Sequence, residues 1–212
     1  MIAIVDYGAG NLRSIRRALE ASGAIVTITS DRDVIAGSDA VVFPGVGAAA
    51  AAMTRLRELR LHDVIAAKVA DGTPFLGICL GFQLLFGPQE EGNTAGLGLI
   101  PGRVHRLRGQ VKVPHIGWNR AQIVRPGPLG QVGDERYYYF VHSYVVEPER
   151  SEAVMAITSY GEDFPSVVVD NNVWGTQFHP EKSGPDGLAL VAAFVQTALL
   201  TSAPQVIPAM SR

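Results

Sequence analysis

Apolar residues in the first half of the chain fall into short continuous runs that alternate with segments of helical spacing. The run IAIVD at 2–6 is typical of a buried strand, and Leu12, Ile15 and Leu19 then recur at the spacing of a helix. Further strands are predicted at 24–29, 39–45 and 75–78, and further helices in the Ala-rich segment after 47 and at 61–70. Buried strands separated by helices predict an α/β protein with a mainly parallel central sheet and helices on both faces.

The second half has a different pattern, in which short apolar runs are joined by frequent turn residues. This pattern predicts an antiparallel extension of the sheet. The candidate strands are VKVP (111–114), AQIVRP (121–126), RYYYFVHSYVV (136–146), EAVMAIT (152–158), PSVVVD (165–170) and VWGTQF (173–178). A final helix is predicted at 186–200. Because the chain has no internal repeat and no linker, we expect a single domain at 1–200 followed by a tail at 201–212.

Composition and charge exclude several classes of partner. The 212 residues carry a net charge of −2 with no long basic run, which argues against binding to nucleic acid or to an anionic membrane surface. The apolar stretch 40–53 is shorter than the ~18 residues of a membrane span, and the N-terminus has no signal-like leader. A cytoplasmic protein is therefore expected. The single cysteine excludes an internal disulfide, which agrees with a reducing compartment.

That cysteine, Cys79, lies in the stretch GICLGFQLLF, where Gly77 and Gly81 flank it in a G-x-C-x-G pattern. If the strand at 75–78 ends here and a helix begins, the pattern is the cysteine counterpart of a nucleophile elbow. The helix N-terminus would then favour the thiolate, and the Leu80 backbone N–H would be free to stabilise an oxyanion. A small buried core residue is the alternative interpretation.

A thiol nucleophile needs a base, and His179 in GTQFHPEKSG is the best candidate among five histidines. It follows a strand-like run, and Glu181 lies two positions on, where an extended backbone places it on the same side. By itself this stretch could be an exposed turn, but together with the elbow it predicts a Cys79, His179 and Glu181 triad. We interpret His62 and His105 as solvated surface residues. His115 and His142 lie at strand ends, where structural hydrogen bonds are as plausible as chemistry.

With both stretches identified, the chain resembles the triad glutamine amidotransferases, which hydrolyse glutamine on a flavodoxin-like three-layer fold. Seven stretches in order narrow the resemblance to the glutaminase subunits of imidazole glycerol phosphate synthases in histidine biosynthesis. They are DYGAGNL (6–12), PGVG (44–47), GICLGFQLLF (77–86), EEG with GLGLIPG (90–102), VPHIGWN (113–119), YYFVHSY (138–144) and FHPEKSG (178–184). The resemblance covers residues 2–200.

The resemblance implies a role for each matched position. Cys79 attacks the glutamine amide, His179 relays the proton and Glu181 orients His179. In PGVG, whose alternative interpretation is an ordinary turn, the Val46 N–H joins that of Leu80 in the oxyanion hole once the glycines allow a peptide flip. The positions implied in glutamine binding are Gly45, Gly47, Gln83, Glu91, Ser143 and Tyr144. Glu91, which follows Gly87 and Pro88 in the same loop, could also be a solvated loop charge.

The resemblance also implies a partner, a (β/α)8-barrel synthase subunit that forms a heterodimer with this chain and receives the ammonia. The matched interface positions are Asn11, Trp118, Tyr139 and Lys182. Trp118 could instead be a core residue. No cofactor and no metal are implied.

Three other functions remain open at the level of the sequence. A glutaminase subunit of pyridoxal phosphate synthase would share the elbow and the triad, although VPHIGWN and YYFVHSY argue against it. A non-catalytic redox or binding module would share the elbow but would not need the HPE segment. A nucleotide-binding oxidoreductase would use Gly8 and Gly10 with Asp31, but Arg13 stands where its third glycine belongs.

Overall fold

A computed structural model describes residues 1–202 as a three-layer α/β fold. Within those residues, the parallel part of the central sheet consists of β1 (Ile2–Val5), β2 (Val26–Thr29), β3 (Ala40–Gly45), β4 (Phe75–Cys79) and β13 (Val173–Thr176). Their order across the sheet is β2-β1-β3-β4-β13, with all neighbouring pairs parallel. This is the strand order of flavodoxin-like sheets, and it confirms the predicted fold class.

The antiparallel extension continues this sheet from β13 through four longer strands in the order β12-β11-β8-β9. A smaller four-stranded sheet with the order β10-β7-β5-β6 packs beside it. The bounds of these strands are β5 (Pro88–Gln89), β6 (Thr94–Ala95), β7 (Gly102–Arg106), β8 (His115–Ile123), β9 (Glu135–His142), β10 (Tyr144–Pro148), β11 (Val154–Tyr160) and β12 (Glu162–Asp170).

Helices cover both faces of the parallel strands, as the alternating pattern predicts. Ile15 and Leu19 of one helix and Phe194 of another belong to the core on one face, and Leu56 and Ile65 of two others belong to the core on the opposite face. The helices are α1 (Leu12–Ala21), α2 (Arg32–Ala36), α3 (Ala49–Glu58), α4 (Leu61–Ala70), α5 (Leu80–Gln83) and α6 (Gly184–Ser202). Three-residue 3-10 helices occupy 91–93, 151–153 and 180–182.

By length and composition alone, the stretch Gly184–Thr201 of α6 could cross a membrane. In this fold the helix packs on the central sheet, with Leu190, Val191 and Phe194 fully buried. The boundary predicted at residue 200 falls inside this helix, which continues to Ser202. The rest of the predicted tail lies outside the described residues.

Two local predictions are corrected by the structure. VKVP is not a strand, because the chain turns there through a cis Val113–Pro114 peptide before β8 begins at His115. The run RYYYFVHSYVV is two strands rather than one, since β9 ends at His142 and β10 begins at Tyr144 in the other sheet. Neither α2 nor β7 is predicted by the pattern.

The helix expected from CLGFQLLF is only one turn long. It ends at Gln83 because the next carbonyls, those of Leu84, Leu85 and Phe86, accept hydrogen bonds from the backbone N–H groups of the 96–100 segment. Because α5 has only one turn, few peptide dipoles contribute to the positive potential of its N-terminus at Cys79.

Candidate active site

Cys79 lies at the junction between β4 and α5, with φ 54° and ψ −112°, a combination that L-residues rarely adopt. This strained turn is the geometry of a nucleophile elbow and confirms the predicted strand-to-helix junction. The cysteine is 7% exposed. Its Sγ lies 3.8 Å from the Val141 carbonyl oxygen and 4.0 Å from Nε2 of Gln177.

The glycines around the elbow are required by close backbone contacts. A Cβ at Gly81 would lie 1.9 Å from the Phe43 carbonyl oxygen, and one at Gly77 would lie 2.9 Å from the Phe82 Cα. A Cβ at Gly45, at the end of β3, would lie 2.6 Å from the Gly81 nitrogen. Gly45 therefore allows β3 to pack against the elbow rather than lining the pocket.

The structure places His179 beside the elbow, because β13 pairs in parallel with β4. Gly175 is in register with Gly77 and Thr176 with Ile78, so both strands deliver their next residues to the same edge of the sheet. Glu181 Oε1 lies 3.0 Å from His179 Nδ1, and both side chains are almost completely buried. The other carboxylate oxygen of Glu181 has no hydrogen-bond partner within residues 1–202.

The electrostatics of this trio favour a protonated imidazole. Burial by itself would lower the pKa of His179, but hydrogen bonding and charge from Cys79 and Glu181 outweigh that effect and raise the pKa to about 10. A buried imidazolium beside a carboxylate and a thiol is the arrangement that stabilises a thiolate.

Backbone contacts fix the position of His179. Its N–H donates to the Tyr139 carbonyl over 3.0 Å, and its own carbonyl accepts from the Ser183 hydroxyl over 2.6 Å. The same hydroxyl accepts from the Tyr139 N–H over 2.9 Å. His179 is thus held by β9 of the antiparallel extension as well as by its own loop.

A pocket of about 300 Å³ opens in front of Cys79 and His179. Most of the glutamine-binding positions suggested by the sequence line it, with Gly45 as the exception. Those that do are Gly47, Gln83, Glu91, Ser143 and Tyr144, and the two positions suggested for the oxyanion hole, Val46 and Leu80, line it as well. Three further residues line the pocket although nothing in their sequence gives reason to expect it, namely Pro114, Val141 and His142. Pro114 lies in the stretch VPHIGWN and His142 in YYFVHSY. The matched stretches therefore contain pocket residues besides the positions implied in glutamine binding.

Two polar side chains in the pocket are already engaged. Both amide hydrogens of Gln83 have acceptors, the Tyr144 carbonyl at 2.9 Å and Gln177 Oε1 at 3.1 Å, which leaves its own Oε1 to accept from a ligand. One oxygen of Glu91 accepts the Ala49 N–H at the start of α3 over 2.7 Å. The Glu91 carboxylate is therefore fixed by a backbone hydrogen bond, which argues against the interpretation as a solvated loop residue.

Val46 is 42% exposed and lies between this pocket and a second cavity that Tyr7 lines. The Tyr7 hydroxyl is buried and has no hydrogen bond of normal geometry within residues 1–202. Burial and the neighbouring Cys79 raise the pKa of Tyr7, whereas the backbone of Val46 lowers it. The Val46 backbone therefore lies close to the Tyr7 hydroxyl, at the boundary between the two cavities.

Comparison with known proteins identifies the family. A family model for class-I glutamine amidotransferases matches residues 3–197. The imidazole glycerol phosphate synthase subunit HisH of Geobacillus thermodenitrificans is 48% identical over 202 residues, covering 92% of this chain and 95% of that protein. The protein of the same name from Methanothermobacter thermautotrophicus is 47% identical, covering 92% and 98%. This chain belongs to the class-I glutamine amidotransferase family.

Solved structures agree with this amidotransferase fold. A crystal structure of a glutamine amidotransferase has a TM-score of 0.73 at 21% identity and covers 93% of this chain and 99% of its own. The PurLQS structure from Thermotoga maritima has a TM-score of 0.70 at 18% identity, covering 94% and 96%. At these identities the likeness concerns the fold alone.

The nucleotide-binding alternative finds no support in this amidotransferase chain. The carboxylate of Asp31 caps α2 by accepting the Asp33 and Val34 N–H groups, so it is not directed at a ribose. Gly8 and Gly10 form a turn with positive φ, closed by a hydrogen bond from the Gly8 N–H to Asp6.

The candidate interface residues of the amidotransferase form a cluster on its surface. Trp118 is 58% exposed on β8, which rules out the core interpretation, and it packs edge-on against Tyr139 at 6.2 Å between ring centroids. The Lys182 ammonium lies 6.0 Å from the centre of the Tyr139 ring. Asn11 immediately precedes α1, which packs against the 3-10 helix that carries Lys182.

Proposed function

We propose that this chain is the glutaminase subunit of an imidazole glycerol phosphate synthase. The observation that carries the proposal is the buried Cys79, His179 and Glu181 arrangement at the ends of two adjacent parallel strands. The names of relatives that are 47–48% identical over nearly their whole length support the choice of synthase.

In the proposed reaction, the Cys79 thiolate attacks the side-chain amide carbon of glutamine. A tetrahedral oxyanion forms, and the His179 imidazolium then gives its proton to the departing nitrogen. Ammonia leaves, the C–N bond is broken and a thioester to Cys79 remains. The raised pKa of His179 supports this step, because the proton to be transferred is already on the ring.

Hydrolysis of the thioester uses the same residues, but His179 now accepts a proton instead of donating one. Neutral His179 takes a proton from water, the hydroxide attacks the thioester carbon, and glutamate departs as the C–S bond breaks. Cys79 is again a thiolate and His179 again an imidazolium. Glu181 remains a carboxylate throughout and stabilises the charged ring.

The oxyanion requires donors, which we assign to the backbone N–H groups of Leu80 and Val46. Leu80 is the first residue of α5, where the N–H has no partner within the helix. Val46 lies in the PGVG stretch, whose glycines would allow its peptide to rotate towards the pocket, and we assign the partner subunit the role of promoting that rotation.

We assign the amino-acid head of glutamine to Gln83, Glu91 and the backbone of Ser143 and Tyr144. The remaining oxygen of Gln83 and the carboxylate of Glu91 suit an ammonium group. These residues share one pocket with Cys79, which supports binding of a single small substrate.

The proposed partner is a (β/α)8-barrel synthase subunit that docks on the face carrying Trp118, Tyr139, Lys182 and Asn11. Ammonia would pass to it directly, for the conversion of a phosphoribulosyl formimino intermediate to imidazole glycerol phosphate and aminoimidazole carboxamide ribotide. We place this heterodimer in the cytoplasm, with neither nucleic acid nor membrane as a partner.

The test compares glutamine hydrolysis by the isolated chain, by its complex with the barrel subunit, and by the complex carrying Cys79→Ala. We expect slow turnover alone, faster turnover in the complex with the synthase substrate bound, and no turnover after Cys79→Ala. Since Cys79 is the only cysteine, a glutamine-analogue electrophile should label the chain once. Equal turnover by the Cys79→Ala complex would reject the proposal. Thiol oxidation without glutamine turnover would favour a redox module.

A further inference from the structure

Two buried histidines that the proposed chemistry does not use lie beside each other near the glutamine pocket, which His142 lines. His115 on β8 and His142 at the end of β9 are paired in register, and His115 Nδ1 lies 3.0 Å from His142 Nε2. Both are almost completely buried. The ring of His115 is stacked between Tyr160, at 3.9 Å, and Phe140, at 4.9 Å.

Hydrogen bonds at both ends fix which nitrogen carries the proton in each ring. His142 Nδ1 lies 3.0 Å from the Tyr144 carbonyl oxygen, which can only accept, so this nitrogen carries the hydrogen. At the other end, Asn119 Nδ2 lies 3.4 Å from His115 Nε2. The Asn119 amide is oriented by two backbone contacts, because its oxygen accepts the Arg120 N–H and its nitrogen donates to the Ser159 carbonyl. His115 Nε2 must therefore accept.

These constraints allow one arrangement, in which both rings are neutral and carry hydrogen on Nδ1. Asn119 donates to His115, His115 donates to His142, and His142 donates to the Tyr144 carbonyl. A second proton on either ring would place two N–H groups face to face. Burial lowers the pKa of His115 to about 4, and burial, with a smaller effect of the His179 charge, lowers the pKa of His142 to about 3, so both stay neutral near pH 7.

The last acceptor in this series of hydrogen bonds, the Tyr144 carbonyl, lies at the glutamine pocket. The Tyr144 carbonyl accepts from both His142 and Gln83, and Ser143 and Tyr144 line the pocket where the chain crosses between the two sheets. We propose that Asn119, His115 and His142 form a directed hydrogen-bond relay whose purpose is to position the Ser143–Tyr144 backbone for glutamine. This proposal rests on the proposed glutaminase function, and His115 and His142 are positioning residues in it.

The relay predicts an effect on substrate affinity rather than on the chemical step. His142→Phe keeps a ring of similar size but removes the donor to Tyr144, whereas His142→Asn places an amide N–H near the position of Nδ1. In the complex with the barrel subunit, we expect His142→Phe to raise the KM for glutamine roughly ten-fold or more with kcat changed less than about three-fold. His142→Asn should restore most of the affinity.

His115→Phe tests the upstream half of the relay. Without the His115 N–H facing it, His142 Nε2 can take a proton, so the acid limb of glutamine turnover should move towards neutral pH. The groups facing His142 are His115 from β8, His179 after β13 and the Tyr144 carbonyl, and of these only His115 changes. Tyr160→Phe is the matched control. The Tyr160 ring stacks on His115 and its hydroxyl donates to the Lys112 carbonyl, so this substitution removes a neighbouring hydrogen bond but none of those in the relay.

A measurement on the unmodified chain keeps the relay testable if the variants do not fold. Nitrogen-15 shifts of labelled histidines report the tautomer directly, and we expect neutral Nδ1–H rings for His115 and His142 at pH 6. An Nε2–H tautomer or a charged ring at either position would overturn the proposal, as would an unchanged KM in folded His142→Phe. Absence of glutamine turnover by the wild-type complex would instead reject the glutaminase function and leave the tautomer result standing.

Discussion

At the scale of the residue, the imidazole of His179 determines how the site responds to pH. Its partners Cys79 and Glu181 hold the proton on the ring well above the pH at which an exposed histidine loses it. His115 and His142, a short distance away, are held neutral by burial and by their hydrogen bonds. Two histidines that line one pocket, His179 and His142, therefore differ in charge, since the first is protonated and the second is neutral.

This raised pKa predicts a particular dependence of stability on pH. Because the folded pKa of His179, about 10, lies above the unfolded value of about 6.5, its stabilising contribution is complete below pH 6.5 and is lost as the pH rises towards 10. Relative to His179→Gln, the wild-type chain should lose about 2 kcal/mol or more of unfolding free energy across this window. Urea unfolding at pH 6, 8 and 10 measures the difference.

Glu181→Gln serves as the control for the cause of the shift. It removes the carboxylate charge but keeps the side-chain shape, so its pH dependence should lie between those of the other two proteins. Parallel stability curves for wild type and His179→Gln would contradict a raised pKa.

At the scale of the element, the elbow depends on how closely β3 approaches α5. Gly81 is the narrowest point, with the Phe43 carbonyl where its side chain would be. Gly81→Ala should cost roughly 2 kcal/mol or more in unfolding free energy, because neither backbone segment can move without breaking the sheet. It should also displace Cys79 and abolish labelling by a glutamine-analogue electrophile.

Gly37→Ala is the matched substitution, since φ is −82° there and the added carbon would meet only the Asp33 carbonyl at an ordinary 3.4 Å. We expect its stability to stay within about 0.5 kcal/mol of wild type and its labelling to be unchanged. Equal effects of the two substitutions would show that the close contact at Gly81 does not control the elbow.

Elements with strong periodicity were predictable from the sequence, and those set by distant contacts were not. The strands at 2–5 and 75–79 and the helix at 61–70 fall where their apolar patterns place them. The one-turn length of α5 depends on hydrogen bonds from the 96–100 segment, which periodicity does not encode. The boundary between β9 and β10 at Ser143 is also not encoded in the periodicity. Both strands are rich in apolar residues, and what separates them is that they join different sheets.

The same division applies to the candidate site. Cys79, His179 and Glu181 could be proposed because each lies in a short local pattern, and the structure brings them together. The relay through His115 and His142 could not, since its meaning depends on the orientation of Asn119 and on a carbonyl at Tyr144. A lone histidine at a strand end has no local signal that separates a relay from an ordinary buried hydrogen bond.

At the scale of the whole molecule, the exposed cluster around Trp118 predicts a docking face. Trp118→Ala should weaken association with the barrel subunit by roughly 30-fold, as expected for an exposed aromatic anchor at the centre of an interface. Its unfolding free energy should change little, because the side chain is mostly exposed. Titration calorimetry with the purified partner measures the association.

Ile25→Ala provides the comparison, since Ile25 is 77% exposed beside β2 at the opposite edge of the sheet. We expect its affinity for the partner to match that of wild type. If both variants bind as wild type does, the docking face lies elsewhere.

The position of β13 between β4 and β12 also has a consequence for synthesis on the ribosome. Cys79 leaves the exit tunnel long before His179 has been translated, so the nascent thiol has no histidine beside it. During this interval the apolar edge of β4 is unpaired, which makes it a natural binding site for chaperones. Completion of the C-terminal third closes the sheet and brings His179 and Glu181 to Cys79, so under the proposed function an interrupted chain cannot hydrolyse glutamine.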